Sequence, residues 1–137
     1  MIKLKRIYER PEITDGARIL VDRLWPRGVR RSTANVDMWL KDVGPSDELR
    51  KWFAHEREKW AIFKKRYLKE LKTNPAFEDL VNIIRSSNDN ITLLFSASDA
   101  KHNNAVVLGM ALNKELRKRA KMMHRTMLTS IFLELIP

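Results

Sequence analysis

The chain contains no cysteine. That excludes disulfides, thiolate catalysis and cysteine-ligated zinc or iron–sulfur centres. It has four glycines and five prolines in 137 residues, too few for a low-complexity linker or a collagen-like repeat. No stretch approaches the ~20 consecutive apolar residues of a membrane-spanning helix. The opening Met1-Ile-Lys-Leu-Lys-Arg6 alternates apolar and basic residues and lacks the apolar block of a signal peptide. A cytoplasmic protein with no membrane partner is expected. Walker, Gly-x-Gly-x-x-Gly and His-Glu-x-x-His patterns are all missing. The three histidines, His55, His102 and His124, are scattered, so neither a metal nor another cofactor is expected.

What is present is positive charge. Lysine and arginine number 27 against 17 acidic residues, a formal net charge of +10. Such an excess favours anionic partners but does not locate a site. The length suits one domain with a core of its own, and no composition break divides it.

Ile2–Tyr8 alternates as a strand, and Thr14-Asp-Gly16 reads as a turn. Arg18–Asp22 is a short β-branched run expected to be a buried strand. Pro26 and Gly28 then force a long loop over 23–35. Val36–Leu40 suits a short helix. Ser46 opens a stronger one, with Asp47 and Glu48 at its positive end. Residues 58–72 and 75–86 continue in helical period. Ile91–Phe95 is a second buried strand, and Asn103 or Asn104 starts a helix reaching about Lys121. Thr126–Ile136 is read as an edge strand in preference to a last helix. The whole is expected to be a single compact α/β domain over 1–137. Its small, mostly parallel sheet is flanked by helices in Rossmann-like layers. Ligands in such folds bind beyond the carboxyl ends of strands, here the loops after Val21 and after Phe95.

Candidate site residues cluster on those loops. Arg23, Arg27 and Gly28 are suited to holding a phosphate or carboxylate: guanidinium gives planar bidentate donation, and glycine lets backbone donors approach. Trp25 either stacks on a ligand ring or fills core beneath Pro26. Ser46 and Arg50 belong to a helix start, where Ser46 as a cap competes with Ser46 as an anion contact. His55 sits near that helix end, as a capping cation, a core histidine or a proton-transfer group. Across the cleft, Ser98 and Asn103 are candidate ligand contacts, and Asp99 with His102 is the candidate acid/base pair. No nucleophile elbow accompanies them, so no triad is inferred.

Three readings follow from these residues. The first is a sensor or enzyme for a small anionic ligand such as a nucleotide or phosphate ester. The second is a nucleic-acid module using Arg30, Arg31, Lys118, Arg119 and Lys121. In the third, the motif residues only lock the fold.

Several motifs occur in a distinctive order. Arg18-Ile-Leu-Val-Asp-Arg-Leu-Trp-Pro-Arg-Gly28 is followed by Trp39-Leu-Lys-Asp42, then Pro45-Ser46, then Glu48-Leu-Arg-Lys-Trp-Phe53 with His55. Thr92-Leu-Leu-Phe95, Asp99 and His102-Asn103 complete the run. This order resembles domain-of-unknown-function family 488, in its YeaO-like branch, over about residues 1–112. The resemblance implies a small cytoplasmic α/β domain and no established activity. The chain departs from the family pattern at His55-Glu-Arg57, where His-Asp-Pro is common. The segment 113–137 reads as a basic elaboration.

Overall fold

In a computed structural model, which describes residues 2–136, four parallel strands form one sheet in the order β1-β4-β2-β3. The strands are β1 (Ile2–Arg6), β2 (Ala17–Leu20), β3 (Met38–Trp39) and β4 (Ile91–Phe95). The helices are α1 (Asp47–Phe53), α2 (Trp60–Lys72), α3 (Pro75–Ser86) and α4 (Asn104–Glu134). The α/β class and parallel sheet agree with the sequence expectation.

Alternation along the strands sorts the sheet into two unlike faces. Ile19, Val21, Ile91, Leu93 and Phe95 point to the helical side. There they join Phe53 of α1, Phe63 and Tyr67 of α2, Leu80 of α3 and Leu108 of α4 in the main core. Among the described residues no α-helix packs on the opposite face. Leu20 and Leu94 are covered instead by Ile7 and by Trp25, Val29, Val36 and Trp39 from the long loop and β3. That loop is therefore a lid on the sheet as well as a wall of the cleft described below.

The loop-covered face also buries charge. Asp15 is fully buried and accepts from Lys5 Nζ at 3.1 Å and from Arg18 Nη1. Burial alone would raise the Asp15 pKa. The Glu12 N–H, the Lys5 ammonium and the Arg18 guanidinium outweigh it and hold the carboxyl at about 2. Gly16, with φ of 64°, turns the chain into β2 where a Cβ would lie 2.0 Å from the Asn90 carbonyl oxygen, so only glycine fits.

Helix starts follow their caps. Ser46 Oγ accepts from Leu49 N (3.1 Å), Asn74 Oδ1 from Ala76 N (2.9 Å) and Asn103 Oδ1 from Val106 N (3.1 Å). Two expectations are corrected. Val36–Leu40 is not helical: Met38–Trp39 pairs in parallel with Ile19–Leu20, and the Asp37 carboxylate accepts the Arg18 N–H at 2.8 Å. Val36 and Leu40 share helical spacing by coincidence, and pairing with a buried strand decides the outcome. Thr126–Ile136 is not a strand. No glycine or proline interrupts residues 110–136, so α4 propagates through Glu134.

Candidate functional site

Because β2 and β4 are hydrogen-bonded neighbours in register, their carboxyl ends deliver Asp22 and Ser96 side by side. Asp22 ties the two exits together. Its Oδ2 accepts from Ser96 N (2.9 Å) and Ser96 Oγ (2.7 Å), and its Oδ1 accepts from Asn104 Nδ2 (3.0 Å). Asn104 Nδ2 also donates to the Val21 carbonyl at 3.2 Å. One carboxylate thus ties β2, the β4 exit and the first turn of α4 together.

Above this clamp lies a cleft of about 370 Å³, within the usual range for small-molecule sites of about 300–1,000 Å³. Its apolar lining comes from Trp25, Pro26, Pro45, Phe53, Phe63 and Ala97. Its cationic lining comes from Arg23, Arg27, Arg50 and Lys51, with His55 beside them. Asp22 is the one carboxylate among the lining residues, and three donors already engage it. The four cations divide into spent and available groups. Arg23 Nε donates to the Pro45 carbonyl (2.8 Å) and Nη2 to the Gly44 carbonyl (3.1 Å), with Asp42 3.8 Å from Nη1. It is occupied in holding the approach to α1. Arg27 and Lys51 are exposed and make no side-chain hydrogen bond or ion pair among the described residues. Arg50 reaches Asp47 at 3.4 Å through Nη2, while its Nε is buried with no partner. An unpaired buried donor costs about 1–3 kcal/mol, and this one belongs to a residue lining the cleft.

The cleft wall after α1 is strained. Ala54 (φ 45°) and His55 (φ 59°) are consecutive left-handed residues, neither of them glycine. Such conformations cost about 1–3 kcal/mol and persist only where surrounding contacts enforce them. Here the Ala54 N–H bonds to the Arg50 carbonyl at 3.1 Å, and the His55 ring lies 6.0 Å from that of Phe53.

Other residues expected at the site are placed differently. Ser46 does not line the cleft: its N–H and Oγ donate to the Glu70 carboxylate at 2.9 and 2.7 Å while its Oγ caps α1. Gly28 (φ 74°) shapes the loop with open space around it and is outside the lining. Ser98 is exposed and also outside it. Asn103 does line the cleft, but its amide caps α4 and donates to the Asp99 carbonyl at 2.9 Å. Trp25 is both scaffold and wall. Its Nε1 donates to the Val29 carbonyl at 2.7 Å, and its ring meets Trp39 edge-on at 5.4 Å.

Asp99 and His102 form a pair, with His102 Nδ1 3.0 Å from Asp99 Oδ2, but neither lines the cleft. Asp99 also binds Arg57 Nε at 3.1 Å and accepts the Lys101 and His102 N–H groups. The Lys101 N–H leads the donors that hold its carboxyl well below the usual range; the Arg57 and His102 side chains add to it. His102 packs edge-on against Trp60 at 5.2 Å. The pair pins the β4–α4 loop to the region after α1.

The model for the "Inactive DUF488-N3 subclade" matches residues 1–130. The chain belongs to the DUF488 family. The chain is similar to the uncharacterized protein Rv3073c of Mycobacterium tuberculosis (strain H37Rv). That protein is 37% identical over 112 residues, which is 82% of this chain and 93% of the relative. The uncharacterized protein YeaO of Escherichia coli K12 is 43% identical over 108 residues, 78% of this chain and 92% of the relative. No solved structure matches the chain.

Within this DUF488 fold, sequence reasoning missed Asp22 and Asn104 as the pair that builds the site, and Lys51, Phe53 and Phe63 as lining. Asp22 carried a signal: an acidic residue ending a buried apolar strand needs donors nearby. The lining aromatics carried none, because Phe53 and Phe63 read as ordinary core positions.

Proposed function

We propose that the cleft binds a small anionic ligand with a planar or apolar portion, of the nucleotide or phosphate-ester class, and holds it without transforming it. The observation that carries this reading is the pairing of free cations with an aromatic floor. Arg27, Lys51 and Arg50, whose Nε has no partner, line the cleft together with Phe53, Phe63 and Trp25, and the one carboxylate in the lining already accepts three hydrogen bonds. Guanidinium groups would take the anion and the rings would cover the flat part.

Binding without chemistry is favoured for three reasons. The Asp99–His102 pair is outside the cleft lining, Asp22 already accepts three hydrogen bonds, and the matching subclade carries the description inactive. The nucleic-acid alternative needs Arg30 and Arg31 on one surface with Lys118, Arg119 and Lys121. Arg31 instead lies over the Trp25 and Trp39 rings on the loop-covered face, at 4.8 and 5.1 Å. Arg119 is on the helical side, bonded to both Glu78 carboxylate oxygens at 2.6 and 2.7 Å.

The test is calorimetric titration with AMP and with inorganic phosphate, comparing the natural chain with Arg27→Ala and Arg50→Ala. Each substitution should weaken AMP binding by about tenfold to a hundredfold, the worth of one charge-assisted hydrogen bond. Equal affinities in all three chains would refute the assignment.

A further inference from the structure

Helix α4 outruns the domain it belongs to. It is 31 residues long, roughly 45 Å at the usual rise. Its buried positions end at Leu112, and every residue from Ala120 to Ile136 is exposed. The projecting half divides sharply along its length. Between Lys114 and Arg125 stand six lysines and arginines against the single acid Glu115. Between Thr126 and Ile136 the one charge is Glu134, among Met127, Leu128, Ile131, Phe132, Leu133 and Leu135.

The two halves share one side of the helix. Lys114, Lys118, Lys121 and Arg125 continue into Leu128, Phe132 and Leu135 at alternating spacings of four and three, the repeat that keeps residues on one face. All seven are exposed. The face is thus a cationic stripe over its first turns and an apolar one over its last. The polar groups within the apolar turns are partly masked: Thr126 and Thr129 donate their hydroxyls to the Met122 and Arg125 carbonyls at 3.0 and 2.9 Å.

We infer that this end of α4 docks on an anionic lipid surface, with Leu128, Phe132 and Leu135 in the interface and the lysine stripe against the headgroups. Charge complementarity selects this occupant. A second copy paired along the whole projecting length would set lysine against lysine in parallel, or lysines against Leu128 and Phe132 in antiparallel, and one paired through the apolar turns alone would leave the lysine stripe unused. Nucleic acid would engage the lysines and leave the apolar turns in water. A bilayer with acidic headgroups supplies both halves in the right order, a negative layer bordering hydrocarbon. No helix among the described residues is long and apolar enough to cross a membrane, so the contact is peripheral. This departs from the sequence expectation of no membrane partner, and it is independent of the cleft.

The test is co-sedimentation of the full chain with vesicles of phosphatidylcholine alone and of phosphatidylcholine mixed with phosphatidylglycerol, at low and high salt, alongside solution mass by light scattering. Two doubly substituted chains are compared, Leu128→Asp with Phe132→Asp, and Lys118→Glu with Lys121→Glu. All four positions are exposed, and circular dichroism is used to check that each variant folds. The expected result is pelleting with the phosphatidylglycerol vesicles, weakened by salt and reduced about tenfold or more in either variant. Three results would overturn the inference. One is no pelleting with any vesicle. Another is equal pelleting with both vesicle types. The third is a solution dimer abolished by Leu128→Asp with Phe132→Asp without vesicle uptake by the natural chain.

Discussion

Replacing Asp22 by asparagine keeps the shape of the side chain and removes only its charge and one acceptor. The structure says why that should matter. Asp22 accepts from Ser96 N, Ser96 Oγ and Asn104 Nδ2, so both of its oxygens face donors. An asparagine must turn its own NH₂ toward one of them. Turned toward Ser96, it meets a backbone N–H that cannot reorient. Turned toward Asn104, it meets Nδ2, and flipping that amide would set an oxygen against the Val21 carbonyl now 3.2 Å from Nδ2. One donor contact is therefore lost in every arrangement, and the remaining bonds lose charge assistance. Hydrogen bonds to charged groups are worth about 1.5–3 kcal/mol each. Ser96 and Asn104 are only partly buried, and water recovers some of the loss. The expected cost is about 2 kcal/mol for Asp22→Asn and about 3 kcal/mol for Asp22→Ala. The asparagine variant should then fall in Tm by about 6–8 °C in a domain of this size. Urea unfolding with an unchanged m-value checks it. A loss below about 0.5 kcal/mol for Asp22→Ala would refute the claim that this carboxylate clamps the strand ends.

Ala54→Gly should stabilise the protein, reversing the usual sign for that substitution. Relief of a left-handed alanine is worth about 1–2 kcal/mol, offset by about 0.4–1 kcal/mol of added freedom in the unfolded chain, leaving about 0.5–1 kcal/mol in favour of glycine; a destabilised variant in chemical denaturation would contradict the strain. Asp15, with its pKa lowered to about 2, contributes stability that is complete above its unfolded pKa near 4 and is lost as pH falls through about 2. Stability curves of the natural chain and Asp15→Asn should therefore be well separated near neutrality and converge in acid. Separation that persists unchanged below pH 2 would show that the carboxylate charge is not responsible. Tyr67→Phe removes the hydroxyl that donates to the buried Val43 carbonyl at 2.6 Å and should cost about 1–2 kcal/mol; a neutral result would mean that water replaces it.

The three longer strands, the helix caps and the loops that border the cleft could be read from residues alone because each rests on a local signal. Ile19–Val21 is an apolar run and Ile91–Phe95 is interrupted only by Thr92, while Ser46, Asn74 and Asn103 are cap residues ahead of periodic segments. What eluded the sequence was decided by partners far along the chain. Met38–Trp39 becomes a strand because β2 offers it an open edge. Arg23 is consumed by the Gly44 and Pro45 carbonyls, some twenty residues away, which its own neighbourhood does not announce. Asp99 and His102 share a loop with cleft residues, yet they engage Arg57 and Trp60 and stay outside the lining. Inventory and spacing located the loops that border the cleft; only packing separated the side chains that line it from those that brace it.

The central claim is that free cations over an aromatic floor make this cleft an anion site. The direct measurement is an amide and side-chain NMR titration of the full chain with AMP, with inorganic phosphate as the control. The account predicts saturable shifts confined to Arg27, Arg50, Lys51, His55 and the Trp25, Phe53 and Phe63 rings, abolished in Arg27→Ala with Arg50→Ala. Shifts confined to the Lys114–Arg125 stretch, or no saturable shifts with either ligand, would contradict it.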